Sequence, residues 1–310
     1  MPKKIIFMGT PIFAVPILKS LYQNGYPISV VYTQPPQKSQ RGQKINKSPV
    51  QGMSETLNID FRCPKTLRDN DEEYNFIKEL NADLAIVVAY GQIIPENFLN
   101  LTKKGFINVH ASILPKWRGA APIQRSIMKL DTETGISIMK INKELDSGPI
   151  GNIYKIKIDH NSNAQEISEK LSLLAAEKIL DNIDEIFEDK IQFIDQEHSK
   201  ATYEKKIDKN ECKINWGDKA INIIGKINGL FPTPGAFFIF NGERYKILKA
   251  EIGNGIGKAG EVLTDKLEIA CSNNQSIKIL EIQRQGKKVQ KIGEFLLGSQ
   301  IKKGAVISNA

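Results

Sequence analysis

The stretch Gly105-Phe106-Ile107-Asn108-Val109-His110-Ala111-Ser112-Ile113-Leu114-Pro115 holds the strand end around which the rest of this chain is arranged. A glycine followed by a short apolar run reads as a buried strand. Residues two apart on a strand point to the same side, so Asn108 and His110 project together from its end. An amide donor and a titratable imidazole aimed at one point suit the stabilisation of an oxyanion and the handling of a proton. By itself Asn-x-His also describes an ordinary polar strand terminus, and the surrounding sequence has to decide.

Working outward, the first half alternates strand-like and helix-like segments. Residues 5–8, 28–33, 84–89, 106–110 and 136–141 read as strands, and 71–80 as a helix. At Gly9-Thr10-Pro11 the chain turns; Thr10 is placed to cap, and Pro11 to occupy the first position of, a helix reaching about residue 23, which Asn24-Gly25 ends. Buried strands separated by helices predict an α/β, Rossmann-like fold: a mostly parallel sheet with helices on both faces. Ligands of such sheets sit at the carboxyl ends of the strands, where Asn108 and His110 fall. Neither G-x-G-x-x-G nor a Walker motif is present, so a dinucleotide cofactor is not supported.

Residues 161–188 read as a helix with apolar positions at Ile167, Leu171, Leu174, Ala175 and Ile179. The polar, charged stretch that follows reads as a linker. Beyond it, β-like runs at 236–240, 245–248, 261–263, 267–271 and 277–282 are separated by turns such as Asn241-Gly242, which predicts a small C-terminal β-barrel, OB-like in kind. The expected organisation is a catalytic domain over 1–189, a linker over 190–207 and a barrel over 208–310.

The 310 residues are 41% hydrophobic and 25% charged, ordinary for a globular protein. No apolar run approaches the ~20 residues of a membrane helix, and the start of the chain reads as a core strand rather than a signal peptide. Cys63, Cys212 and Cys271 have no paired spacing, and His110, His160 and His198 have no ligand spacing, so no metal is expected and the location expected is cytoplasmic. His160 and His198 read as surface residues.

Charge is uneven. The net is +8, and residues 208–310 carry 16 Lys or Arg against 10 Asp or Glu. A basic small domain on a nearly neutral larger one points to a polyanionic partner. The long polar loop 34–49 adds Lys38, Arg41, Lys44 and Lys47 with no acidic residue, a set able to follow a phosphate backbone.

Asp146, in the turn Leu145-Asp146-Ser147-Gly148-Pro149 after the strand at 136–141, is the remaining candidate. An Asp in a turn is often a local cap, but beside a strand-end His it orients the imidazole. Asn108-x-His110-x-Ser112-Ile113-Leu114-Pro115, Arg118-Gly119 and Asp146-x-Gly148 together resemble the signature of the 10-formyltetrahydrofolate-dependent formyltransferases. Phe7-x-Gly9-Thr10-Pro11, Val88-Ala89-Tyr90-Gly91, the run 117–125, Ile214-x-Trp216 and Phe231-x-x-Pro234 are similar to the branch of that family acting on methionyl-tRNA. The resemblance spans about residues 3 to 300, with Ala111 where Gly is common, Ile113 where Leu is usual, and Pro149 where other residues are more common.

The resemblance implies transfer of the formyl group of 10-formyltetrahydrofolate to the α-amino group of methionyl initiator tRNA, for translation initiation. It implies Asn108, His110 and Asp146 as catalytic, Ser112, Ile113, Leu114 and Pro115 as lining the folate site, and Lys38, Arg41, Lys44 and Lys47 as facing the tRNA. The partners expected are that tRNA and tetrahydrofolate, with no membrane, and the protein a monomer. A glycinamide ribonucleotide formyltransferase or a formyltetrahydrofolate hydrolase shares the Asn–His–Asp logic, but a small substrate needs neither a basic domain nor a cationic loop. An inert RNA-binding protein on an enzyme-like scaffold would not need the intact triad.

Overall fold

A computed structural model describes residues 3–39, 44–299 and 301–308. Along the chain the strands are β1 (Ile5–Gly9), β2 (Ile28–Tyr32), β3 (Gln37–Ser39), β4 (Lys44–Asn46), β5 (Phe61–Arg62), β6 (Leu84–Val88), β7 (Phe106–His110), β8 (Arg118–Gly119), β9 (Glu133–Lys140), β10 (Ile150–Lys157) and β11 (Tyr203–Glu204). Helices α1 (Val15–Gln23), α2 (Pro49–Thr56), α3 (Asp71–Leu80), α4 (Pro122–Met128) and α5 (Ala164–Phe187) lie among them. The remainder is α6 (Ala220–Gly229), β12 (Ala236–Phe240), β13 (Glu243–Gly253), β14 (Glu268–Ala270), β15 (Ser276–Arg284), β16 (Gln290–Lys291) and α7 (Ile292–Leu296).

The chain forms two compact units, and their borders are not consecutive in sequence. The first comprises residues up to Gly119, then Gly135–Ile156 and Ser168–Tyr203; the second comprises Ala120–Thr134, Lys157–Ile167 and everything from Glu204 onward.

The first unit is built on a seven-stranded sheet in the order β10-β9-β7-β6-β1-β2-β5. β1 pairs in parallel with β2 and β6, β6 with β7, and β2 with β5. β9 runs antiparallel to β7, with Asn108 opposite Met139 and His110 opposite Ser137. The central strands are continuous apolar runs because both faces are covered. On one face Ile6, Met8, Val30, Tyr32, Ala85 and Val87 pack with Ile77 of α3, Leu67 and Phe98. On the other side α1 and α5 are tied together: Ser20 Oγ donates to the Ala176 carbonyl and Ser172 Oγ to that of Phe13.

The first helix differs from its expected start. A 3-10 turn at Ile12–Ala14 precedes α1, and no side chain caps it. Thr10 has other work: its hydroxyl donates to the Tyr90 carbonyl at 2.8 Å and accepts the Gln34 N–H at 3.3 Å, joining the ends of β1, β2 and β6. The loop expected over 34–49 contains the antiparallel hairpin β3–β4, with Lys38 opposite Ile45 and Ser39 opposite Lys44. Ser48 then caps α2, its side chain accepting the Gln51 N–H.

The second unit contains the antiparallel sheet β12-β13-β15-β14, with β16 added to β15. Its core holds Trp216, Phe238, Tyr245 and Phe295 in a continuous series of ring contacts, with Phe238 stacked on Tyr245 at 5.3 Å. This is the barrel-like C-terminal sheet the turns predict, with two differences. Within 261–263 only Glu261 and Val262 pair, each in an isolated bridge rather than a strand, and 220–229 form α6. Helix α4 packs on α6 through Gly229, where a Cβ would stand 2.9 Å from the Gln124 carbonyl oxygen. Arg125 of α4 binds both carboxylate oxygens of Glu211 and also pairs with Glu204.

Candidate active site

β7 delivers Asn108 and His110 to one side of the sheet at its carboxyl end, as the two-residue spacing requires. His110 is 7% exposed. Its Nε2 lies 3.0 Å from the carbonyl oxygen of Trp117, and its Nδ1 lies 3.7 Å from Asp146 Oδ2. A carbonyl only accepts, so Nε2 carries a hydrogen and Nδ1 is the nitrogen that faces the carboxylate. One ring nitrogen thus donates to a main-chain carbonyl, and the other faces a carboxylate just beyond hydrogen-bond distance.

Asp146 has a left-handed backbone, φ 50°. Its Oδ2 accepts the Gly119 N–H at 2.8 Å, and its Oδ1 lies 3.5 Å from Asn108 Nδ2, the outer limit of a hydrogen bond. The turn carrying it approaches β9 closely. At Gly148 a Cβ would stand 1.9 Å from the Lys140 carbonyl oxygen, so only glycine fits there. The Lys140 N–H donates to the Pro149 carbonyl, starting the return strand β10.

Trp117, Arg118 and Gly119 supply three consecutive contacts. Trp117 is itself left-handed, φ 62°, which turns its carbonyl onto His110. Arg118 is 0% exposed, with its guanidinium hydrogen-bonded to Gln196, to the Tyr203 hydroxyl and, at 3.4 Å, to His198 Nδ1. Gly119 reaches Asp146 through its N–H. His198 is exposed, as expected, yet its ring is engaged by this buried arginine. Gln196 is not legible as a site residue in the sequence: its Nε2 donates to backbone carbonyls about 50 residues earlier.

The four residues expected at the folate site divide by burial. Ser112 and Leu114 are buried, and Ile113 and Pro115 are partly exposed. The Ser112 hydroxyl donates to the Lys116 carbonyl at 2.7 Å, while Ser137 Oγ donates to the Ser112 carbonyl and accepts the Leu114 N–H. Ser112 thus shapes the turn rather than offering its side chain outward. Ala111 does not have a positive φ, so a methyl group in place of glycine meets no backbone penalty there.

Among the expected RNA-facing cations, Lys38 and Lys44 lie on β3 and β4. Lys47 Nζ binds both oxygens of Glu55, at 2.9 and 3.0 Å. Arg41 lies outside the described residues. Among the described residues no helix is long and apolar enough to cross a membrane.

A mostly parallel sheet thus brings an amide, an imidazole and a carboxylate together at one strand end, an arrangement chemically suited to acid–base group transfer. The formyl transferase family matches residues 3–183 and its C-terminal domain residues 206–300, and the chain belongs to this family. It is 67% identical over 309 residues to the methionyl-tRNA formyltransferase of Pelagibacter ubique, covering 100% of both chains. The methionyl-tRNA formyltransferase of Mesorhizobium japonicum is 39% identical, with 99% of this chain and 100% of that one covered. The solved N-formyltransferase of Helicobacter canadensis, in complex with folinic acid and dTDP-3-aminofucose, shares the fold at a TM-score of 0.70 and 21% identity, covering 92% of this chain and 100% of that one. A solved sugar 3N-formyl transferase matches at 0.69 and 20%, covering 93% and 100%.

Proposed function

We propose that this chain transfers the formyl group of 10-formyltetrahydrofolate to the α-amino group of methionyl initiator tRNA. The observation that carries the reading is the convergence of Asn108, His110 and Asp146 in a chain 67% identical, end to end, to a methionyl-tRNA formyltransferase. That full-length similarity, second domain included, disfavours glycinamide ribonucleotide formyltransferase and formyltetrahydrofolate hydrolase.

In this reading the α-amine attacks the formyl carbon, and negative charge grows on the formyl oxygen. The Asn108 amide, held only loosely at 3.5 Å by Asp146, turns its N–H to that oxygen. His110, in its imidazolium form, adds positive charge beside it. Asp146 keeps the ring oriented through Nδ1 and shares in moving the proton from the attacking amine toward the leaving N10 of the folate. Ile113 and Pro115, with surface left open, border the folate, and Ser112 and Leu114 hold the turn beneath them.

The basic second unit and the cations Lys38, Arg41, Lys44 and Lys47 contact the RNA backbone, which positions the substrate without reading its sequence. Lys47 trades its Glu55 partner for a phosphate in this scheme, an exchange that costs little between exposed groups. The protein acts as a cytoplasmic monomer.

The test is formyl transfer from 10-formyltetrahydrofolate, offered charged initiator tRNA, free methionine and glycinamide ribonucleotide in parallel. Formylation of the charged tRNA alone is expected. Formylation of glycinamide ribonucleotide but not of the tRNA overturns the reading.

A further inference from the structure

The Gln196 side chain uses every hydrogen-bonding position it has. Its Nε2 donates to the carbonyl of Asp146 at 2.9 Å and to that of Gly148 at 2.7 Å. Its Oε1 accepts from Arg118 Nε at 3.0 Å and Nη2 at 2.7 Å. An amide has two donors and two acceptor lone pairs, so nothing remains for a ligand. The group is 6% exposed, and the guanidinium that holds it is fully buried. Leaving such donors without partners is costly, so the set is retained as a unit or lost as one.

These bonds converge on the turn that carries the carboxylate. The two carbonyls flank Ser147, and the Asp146 backbone is left-handed, a conformation a non-glycine residue keeps only when its surroundings hold it. The residues that set the dyad are also adjacent in sequence. Trp117 fixes the His110 ring, Gly119 binds the Asp146 carboxylate, and Arg118 between them grips Gln196, which grips the Asp146 backbone. One short segment thus references both members of the pair to the same frame.

We infer that Gln196, held by Arg118, is a positioning residue that sets the Asp146 carboxylate against His110 by pinning the carbonyls of Asp146 and Gly148. It touches neither substrate nor the reacting atoms. The inference rests on the proposed role of Asp146 and adds a second layer to it. A displacement of about 1 Å in a catalytic group costs on the order of 100-fold in rate, so loss of the pin reaches turnover rather than binding.

Gln196→Glu is the discriminating variant. A carboxylate at this position keeps the acceptors for Arg118, and with them the fold, but loses both donors and sets oxygen against the two carbonyls. The expected result is a kcat lower by about 10- to 100-fold, with KM for 10-formyltetrahydrofolate and for charged tRNA each within about twofold and folding verified by thermal melting. Gln196→Ala lowers kcat similarly with a lower melting temperature. The same Gln196→Glu change is made in an Asp146→Ala protein and followed in single turnover with enzyme in excess. There it is expected to cost less than about twofold further, because residues acting through one another are not additive.

Wild-type kcat in Gln196→Glu, or an equal cost in the presence and absence of the Asp146 carboxylate, overturns the inference. If Asp146→Ala itself turns over normally, the catalytic reading of Asp146 falls and this inference falls with it. If Asp146→Ala is inactive and Gln196→Glu is not impaired, only the positioning role is lost.

Discussion

The carbonyl oxygen of Trp117 stands 3.0 Å from Nε2 of His110, so the ring nitrogen turned toward Asp146 is Nδ1. The strand-end imidazole is hydrogen-bonded on one side and faces a carboxylate 3.7 Å away on the other, and that carboxylate is the group to remove. Asp146→Asn preserves shape and removes charge. It is expected to lower kcat by about 10²- to 10⁴-fold while the melting temperature stays close to that of the wild type. Steady-state kinetics with a parallel thermal melt checks this, and near-normal turnover would reduce Asp146 to a turn residue.

Gly148 tests the backbone beneath that carboxylate. An alanine methyl must occupy space 1.9 Å from the Lys140 carbonyl, so the turn has to move away from β9. Overpacking of this kind costs about 1–3 kcal/mol, and Gly148→Ala is expected to lose both stability and kcat. Denaturant titration and initial rates measure the two, and an unchanged midpoint would contradict the close approach.

Strands β1, β6 and β7 are legible because parallel strands covered on both faces are unbroken apolar runs. β10 is not, since polar residues alternate through Ile150–Lys157 on the outermost strand. Helix α6 carries no reading from the sequence, because its two glycines weaken a helical pattern; they are there for contact with α4, which composition does not reveal. In the site, Asn108 and His110 follow from strand periodicity, whereas Gln196 acts on main-chain carbonyls and leaves no side-chain pattern to find.

A pH effect on stability is expected in the second unit. Burial pushes the Glu268 carboxyl up, but hydrogen bonds from Ser276 and the Gly255 N–H, with Lys278 nearby, bring it below the usual glutamate range. A carboxyl lower in the folded than in the unfolded state stabilises above the unfolded value, about 4.3, and that stabilisation is lost as pH falls through the folded value. Melting temperatures from pH 6 to pH 3 are expected to fall less steeply in Glu268→Gln than in the wild type. Parallel curves for the two proteins would mean that Glu268 contributes nothing to acid sensitivity.

The β15–β16 turn presents Lys287 and Lys288, both exposed, and is a natural place to meet phosphate. Replacing both with alanine is expected to raise KM for charged tRNA and leave KM for 10-formyltetrahydrofolate unchanged. The slope of log affinity against log salt is expected to fall by about 0.7 to 0.9 for each phosphate no longer neutralised. Salt-dependent binding measurements decide this, and an unaltered slope excludes the turn from the RNA interface.

Arg41 offers a second test of the RNA-facing charges. Arg41→Ala is expected to weaken use of the charged tRNA with folate kinetics intact, and an equal loss toward both substrates would count against the loop as an RNA contact.

Helix α4 is encoded between two segments of the first unit, yet it belongs to the second unit and packs on Gly229 of α6. The protein is therefore not two separable modules joined end to end. A fragment starting at 208 would be missing a wall of its own interior, and recombination at that point would graft a domain without one of its helices. Any exchange of the second unit between relatives has to carry Ala120–Thr134 with it.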